Sequence, residues 1–488
     1  MKDYVFKTTP YEHQKKIWQE SWGKSYYALF LEMGTGKTKI AIDTIGALFM
    51  AGEIDTALII APKGIYDNWV KKEIPAHLPE DIPYKALRWQ NNLSNKYVAE
   101  LKDLAVNREQ RTLNILVMNV EALSAKKKVM SKAAKTAIRF LELNPNCITV
   151  VDESTTIKRP KASRTETVLQ IARRSKYRRI LTGSPITKDP MDLYSQCQFL
   201  DPKALGYSSY YAFQGRYSIV RRRKMGTREF QEIVGYRRLD ELNQKLEEFS
   251  SRVLKEDCLD LPDKIYTERE VALTPEQQQL YKQMKANAMA MLESGELSTT
   301  ATILTQIMRL HQIVCGFIKD NEGKIHPIKN NKMNELLNIC DEVQGKAIIW
   351  ATWSHDIEAI KKALSEQYGE ESVACYFGET HQDERQAIVE KFQDTESKLR
   401  FFVGQPKTGG YGLTLTAANT MIYFSNSYDL EIRLQSEDRA HRIGQTKSVT
   451  YVDLVSPKTI DEVILKALRN KINLAGMVLG EEVKEWLR

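Results

Sequence analysis

Met33-Gly34-Thr35-Gly36-Lys37-Thr38 follows an apolar run and opens a helical pattern, the setting in which a glycine-containing loop holds phosphates. Gly34, Thr35 and Gly36 let the backbone N–H groups and the helix start face an anion, Lys37 reaches the β and γ oxygens, and Thr38 helps to hold Mg²⁺. The first glycine of the full G-x-x-x-x-G-K-T form is missing, because Leu31 stands there. Val150-Val151-Asp152-Glu153 supplies the second half of such a site. A carboxylate at the end of an apolar strand can hold Mg²⁺ through water while its neighbour polarises the attacking water. Asp152 is therefore assigned to the metal, and Glu153, with Lys37, to catalysis. The expected cofactors are ATP and Mg²⁺.

These residues need a sheet to carry them. Residues 26–31, 56–61, 114–119, 147–151 and 179–182 read as short strands, several apolar throughout, as expected of parallel strands covered on both faces. Helical patterns such as 37–50 and 165–173 lie between them, which predicts an α/β doubly wound fold with the loop and the acidic pair on adjacent strands. The texture changes near Asp201. Residues 217–223 and 228–235 alternate about Gly226-Thr227, predicting a basic hairpin, and a long helical stretch runs from Pro275 to about Ile313. Strand and helix alternate again over 346–351, 372–377, 399–403, 420–424 and 450–455. The expected organisation is an ATP-binding lobe over 1–205, an insertion over 206–328, a second lobe over 329–460 and a helical brace over 461–488.

Composition narrows the partners. With 42% hydrophobic and 27% charged residues, the chain of 488 residues has the profile of a folded protein, and its apolar runs are far too short to span a membrane. Six scattered cysteines form no C-x-x-C pair, which argues for reduced thiols rather than zinc or disulfides. His311 and His441 have no ligand-spaced partners, and the run Lys126–Lys128 reads as a solvated turn. With no apolar leader at the N-terminus, a cytoplasmic location is expected, or the nucleus if the source is eukaryotic. The net charge of +8 is concentrated: residues 158–179 carry nine Lys or Arg against one Glu, and residues 216–238 carry eight against two. Such clustering suits a polyanion.

The motifs together resemble those of the Swi/Snf family within the superfamily-two helicases, over roughly Tyr11 to Ile464. Tyr11-Glu12-His13-Gln14 is similar to the family's adenine-reading element, and Ile59-Ile60-Ala61-Pro62-Lys63 with Asn68-Trp69 to the start of its DNA track. Leu181-Thr182-Gly183-Ser184-Pro185-Ile186 resembles the segment that couples hydrolysis to lobe movement. Arg252, Lys255, Leu261, Pro262, Lys264, Leu273, Thr274 and Tyr281 follow the family's insertion pattern. Gly409-Gly410-Tyr411-Gly412-Leu413-Thr414-Leu415-Thr416 looks like a second-lobe element, and the run from Gln435 to Gln445, through Arg439, His441 and Arg442, like its arginine-finger motif.

The resemblance implies two RecA-like lobes with an insertion between them and a duplex DNA partner. It implies that Gln14 and Gly412 contact the nucleotide, that Arg439 and Arg442 reach across a cleft as fingers, and that Lys63 and Trp69 contact DNA. Arg221, Arg222, Arg223 and Lys224, clustered at the hairpin turn, are the expected auxiliary grip. Ser154 and Thr155 depart from the family's Ala and His, and Lys407 from its Arg. The leading expectation is a double-stranded DNA translocase. A strand-separating helicase on DNA or RNA, with the hairpin as wedge, is the alternative, and a non-catalytic ATP-gated scaffold is the reading from another class.

Overall fold

The computed structural model describes residues 4–106, 111–124, 129–225, 228–293, 300–320, 322–409 and 413–479. The chain divides into two units, one of Met1–Val220, Ile233–Asp260 and Leu474–Val483, the other of Arg221–Glu232, Leu261–Asn473 and Lys484–Arg488.

The first unit is built on β1 (Tyr26–Leu31), β2 (Thr56–Ala61), β3 (Tyr84–Arg88), β4 (Leu113–Asn119), β5 (Cys147–Asp152) and β6 (Tyr177–Leu181). Side chains alternate across a strand, so the apolar runs feed two cores at once. Phe30, Leu58, Ile60, Met118 and Val151 join one buried cluster, while Leu29, Leu31, Ile59, Val117 and Val150 join the cluster on the other face.

Beyond this sheet a hairpin forms from β7 (Ser218–Met225) and β8 (Arg228–Tyr236), and β9 (Ser250–Val253) follows. The hairpin matches the alternation in the sequence; Gly226 and Thr227 lie outside the described residues. β9 differs from expectation. Although it falls in the range read as insertion, it pairs in parallel with β1, Ala28 opposite Ser250 and Leu31 opposite Val253. The seven strands run in the order β3-β4-β2-β5-β6-β1-β9, every pairing parallel. β3 and β9 are edge strands. Half-exposed and polar on one side, they lack the apolar run by which the inner strands are read.

The second unit repeats the principle with β10 (Lys264–Glu270), a short antiparallel pair β11 (Phe317–Lys319) and β12 (Ile325–Pro327), then β13 (Lys346–Trp350), β14 (Val373–Tyr376), β15 (Phe401–Gly404), β16 (Ala418–Tyr423) and β17 (Val449–Val455). Six of these strands form a parallel sheet in the order β10-β17-β16-β13-β15-β14. β10 is a second strand taken from the expected insertion, and its charged alternation marks an edge. The long helical stretch is two helices, Pro275–Glu293 and Thr300–Cys315. Ile464, Leu465 and Leu468 of helix Ile460–Leu479 join Val314, Leu430 and Val455 in one core. Among the described residues no helix is long and apolar enough to cross a membrane.

Candidate nucleotide site and nucleic-acid interface

β1 delivers the phosphate loop. After the buried Leu31 the chain turns through Gly34 (φ 87°) and Gly36 (φ 92°) into helix Lys37–Met50. Glycine takes this left-handed backbone at little cost, and at Gly36 a Cβ would stand 2.1 Å from Nε2 of Gln14, so that side chain would have to move. Helix Glu12–Ser21 presses against the loop: Nε2 of Gln14 donates to the carbonyl of Thr35 at 3.1 Å, and a ring nitrogen of His13 hydrogen-bonds the same oxygen at 2.8 Å. Gln14 thus lies beside the glycine loop, with its amide engaged by the loop itself. Lys37 is buried and its Nζ donates to the carbonyls of Leu31 at 2.8 Å and Glu32 at 3.2 Å. Thr38, on the first helical turn, is half-buried.

The acidic pair closes β5. Oδ2 of Asp152 accepts from Nε1 of Trp69 at 2.9 Å, and Oδ1 accepts from the N–H of Glu153 at 3.0 Å. Burial pushes the Asp152 carboxyl up, against the opposing pull of the Trp69 N–H and the Lys37 ammonium. Glu153 adopts φ 47°, a conformation that costs a residue with a Cβ about 1–3 kcal/mol and gathers at working sites. β5 is not next to β1, as the sequence reading had it. β6 stands between them and brings Leu181–Ile186 to the same row of strand ends, where a Cβ on Gly183 would meet the N of Met33 at 3.3 Å.

Open parallel sheets bind ligands at this end of their strands. A lysine, a hydroxyl and two carboxylates around a left-handed glycine turn offer donors to a polyphosphate and hard oxygens to a divalent cation, so the residues fit ATP with Mg²⁺.

Gln196, which the sequence did not single out, and Arg252, read there only as part of the insertion pattern, tie these strand ends together. Ser154, which replaces the family's Ala, donates to Oε1 of Gln196 at 2.7 Å, and Nε2 of Gln196 donates to the carbonyl of Pro185 at 2.8 Å. That path joins the acidic strand end to the Leu181–Ile186 segment. Arg252 of β9 reaches the carbonyls of Gly183 at 2.8 Å and Phe30 at 3.1 Å.

In the second unit the two expected fingers separate. Arg439 is 1% exposed; its Nε donates to the carbonyl of Gln435 at 2.7 Å and its Nη1 to that of Leu413 at 3.2 Å. Its guanidinium is buried and bonds these backbone carbonyls, which counts against the expected contact with a phosphoryl group. Arg442 is only half-buried and also bonds Leu413, at 3.0 Å. His441 hydrogen-bonds the carbonyl of Pro262 at 2.8 Å, so its role is to dock the Leu261–Lys264 segment. Gly412 lies outside the described residues. Among the described residues there is no metal-binding cluster of His, Cys, Asp and Glu.

The family described as the SNF2-related domain matches residues 25–317, and the helicase conserved C-terminal domain matches 329–444. The chain belongs to the SNF2-related family. Among its relatives, a Mycoplasma pneumoniae protein described as an uncharacterized ATP-dependent helicase is 28% identical over 93% of this chain and 40% of its own length. The Schizosaccharomyces pombe SWI/SNF chromatin-remodeling complex subunit snf22 is 27% identical over 92% of this chain and 26% of its own. Human ZRANB3, a DNA annealing helicase and endonuclease, is 28% identical over 92% and 38%. The chain thus spans 26–40% of the length of these relatives. The Sulfolobus solfataricus SWI2/SNF2 ATPase core in complex with double-stranded DNA aligns over 97% of this chain and 93% of that one at 26% identity, a loose superposition with a TM-score of 0.42.

The nucleic-acid residues expected for an SNF2-related chain fare unevenly. Lys63 is exposed, its backbone N–H held by Glu121 at 3.1 Å. Trp69 is 1% exposed and its indole faces inward, onto Asp152, which counts against the expected contact of its ring with DNA. Arg221 and Arg222 are exposed, Arg223 pairs with Glu232 at 2.5 Å, and the side chain of Lys224 lies outside the described residues. The basic stretch 158–179 is also largely committed. Arg179 is buried and donates to the carbonyls of Ser21, Trp22 and Lys24 at the end of helix Glu12–Ser21, while Lys176 pairs with Glu53 and Arg174 with Glu142.

Proposed function

We propose that this SNF2-related chain is an ATP-hydrolysing motor that moves along double-stranded DNA and remodels DNA or protein–DNA complexes. The observation that carries this reading is the gathering of Lys37, Asp152-Glu153 and Leu181–Ile186 at neighbouring strand ends of one parallel sheet. Lys37, Thr38 and the loop N–H groups hold the triphosphate, and Thr38 with Asp152 holds Mg²⁺, which supplies charge neutralisation on the phosphate oxygens. Glu153 takes the proton of the attacking water. Gln14 is the adenine contact, and Arg442 remains as the arginine finger, whose planar, always-charged fork suits a phosphoryl group. Lys63, Arg221 and Arg222 contact the DNA backbone, so binding is indifferent to sequence and sensitive to salt.

A strand-separating activity would use the β7–β8 hairpin as its wedge. It carries exposed Ile219 and Val220 beside its arginines, the apolar edge that splitting base pairs needs. One set of assays separates the readings: ATP turnover with no nucleic acid, duplex DNA, single-stranded DNA and RNA, beside triplex displacement and unwinding. Duplex stimulation and triplex displacement without unwinding are expected. Unwinding would select the helicase, and turnover absent under every condition would leave a scaffold.

A further inference from the structure

Trp69 sits oddly for a residue on a nucleic-acid track. It opens a π-helical turn, Trp69–Glu73, directly after Tyr66–Asn68, and π turns are frequent at functional sites. The segment before it is clamped: Nη1 of Arg88, at the end of β3, donates to both carboxylate oxygens of Asp67 at 2.6 and 2.7 Å. The buried indole then donates to Oδ2 of Asp152. With Oδ1 taken by the N–H of Glu153, both oxygens are bonded and the carboxylate plane is set. Lys63, near the start of the same connection out of β2, faces solvent.

We propose that Trp69 is a positioning residue for nucleotide turnover, its indole N–H orienting the Asp152 carboxylate toward Mg²⁺ and tying that carboxylate to the segment that begins with Lys63. The inference rests on the reading of Asp152 as the metal-holding residue. A partner that orients a ligating carboxylate typically contributes 10- to 100-fold to metal affinity. A merely structural indole would lower nucleotide affinity, or stability, with and without metal alike. One that acts through Asp152 changes only the metal-dependent part.

The test is a Mg²⁺ titration of the affinity for a fluorescent ADP, against an EDTA baseline, on the full chain and on Trp69→Phe, Asp152→Asn and the double variant. Trp69→Phe is expected to match the wild type in EDTA, to need about 10-fold more Mg²⁺ for the same gain in affinity, and to add nothing further in the Asp152→Asn background. An unchanged Mg²⁺ midpoint, an equal loss with and without Mg²⁺, or additive effects in the double variant overturns the role of Trp69. If Asp152→Asn keeps the wild-type Mg²⁺ dependence, the reading of Asp152 fails instead. Should Trp69→Phe not fold, ¹⁵N-indole spectra of the wild type decide the matter. The indole resonance displaced by Asp152→Asn should also move with Mg²⁺-ADP and stay still with ADP in EDTA; indole resonances indifferent to Mg²⁺ overturn the proposal.

Discussion

Glu153 follows the last residue of an apolar strand in a left-handed backbone that disfavours side chains, and the structure around it holds that conformation. Glu153→Gln removes the proposed base while leaving Lys37 and the loop untouched, so ATP should still bind and hydrolysis should stop; single-turnover hydrolysis beside equilibrium nucleotide binding checks this, and wild-type turnover would refute the assignment. The two arginines of the Gln435–Gln445 run should part company in the same way. Arg439→Ala takes the side-chain donor from the carbonyl of Gln435 and one of two from that of Leu413, and it empties a fully buried site; a buried group left without its partner costs about 1–3 kcal/mol, so a lower Tm is expected. Arg442→Ala should leave Tm and nucleotide affinity nearly unchanged while kcat falls by roughly 10³-fold, the scale on which arginine fingers act. Melting curves and steady-state kinetics on both variants distinguish them, and equal losses of binding and turnover in Arg442→Ala would mark a structural arginine.

At the scale of elements, the β7–β8 hairpin places exposed Arg221 and Arg222 on opposite faces of its first strand, because successive side chains alternate. Replacing Arg221, Arg222, Arg223 and Lys224 by Ser should spare basal ATP turnover and weaken duplex binding equally for all sequences. The slope of log K against log salt should flatten by roughly 0.9 for each phosphate that the variant no longer neutralises. Parallel salt slopes with unchanged affinity would remove the hairpin from the DNA path.

Helix Ser354–Tyr368 carries a different element-scale feature. Asp356 on its first turn is buried, and burial pushes its carboxyl up to about 8 against the opposing pull of Lys332 and a hydrogen bond from Cys315. Since the folded pKa lies above the unfolded value of ~3.9, the folded chain binds the extra proton, and this group's contribution is full below pH ~4 and is lost as pH rises toward about 8. His311 works in the opposite sense: burial lowers it to about 4, so its contribution is lost as pH falls through the acid range. Asp356→Asn should therefore flatten the decline of the urea midpoint from about pH 5 to about pH 8, inside the roughly four-unit window between the unfolded and folded values. A variant whose pH profile runs parallel to the wild type would show that Asp356 does not titrate there.

For the molecule as a whole, what local pattern determined was the α/β class, the alternation of two sheets and the placement of the proposed catalytic residues at strand ends. Apolar runs such as Thr56–Ala61 and Cys147–Asp152 are dictated by burial on both faces, and the glycine loop and acidic pair declare themselves by position relative to those runs. A run of residues along one strand or helix contains all that such inferences need. Tertiary structure decided everything that depends on which distant segments meet. β9 finds β1 across more than two hundred residues and β10 finds β17 across nearly as many, and as half-exposed edges neither has a burial pattern to announce it. Gln196 meets Ser154 only because its helix, Leu193–Leu200, packs against β6 and the turn Ser154–Ile157. The partner of Trp69 lies 83 residues further along the chain. Arg439 and Arg442 have the same type and nearly the same motif position, yet one guanidinium is buried on carbonyls and the other is half-exposed. Periodicity tells a residue's face, but a directed hydrogen bond needs a partner at about 3 Å with the right orientation, and that is set only when the elements dock.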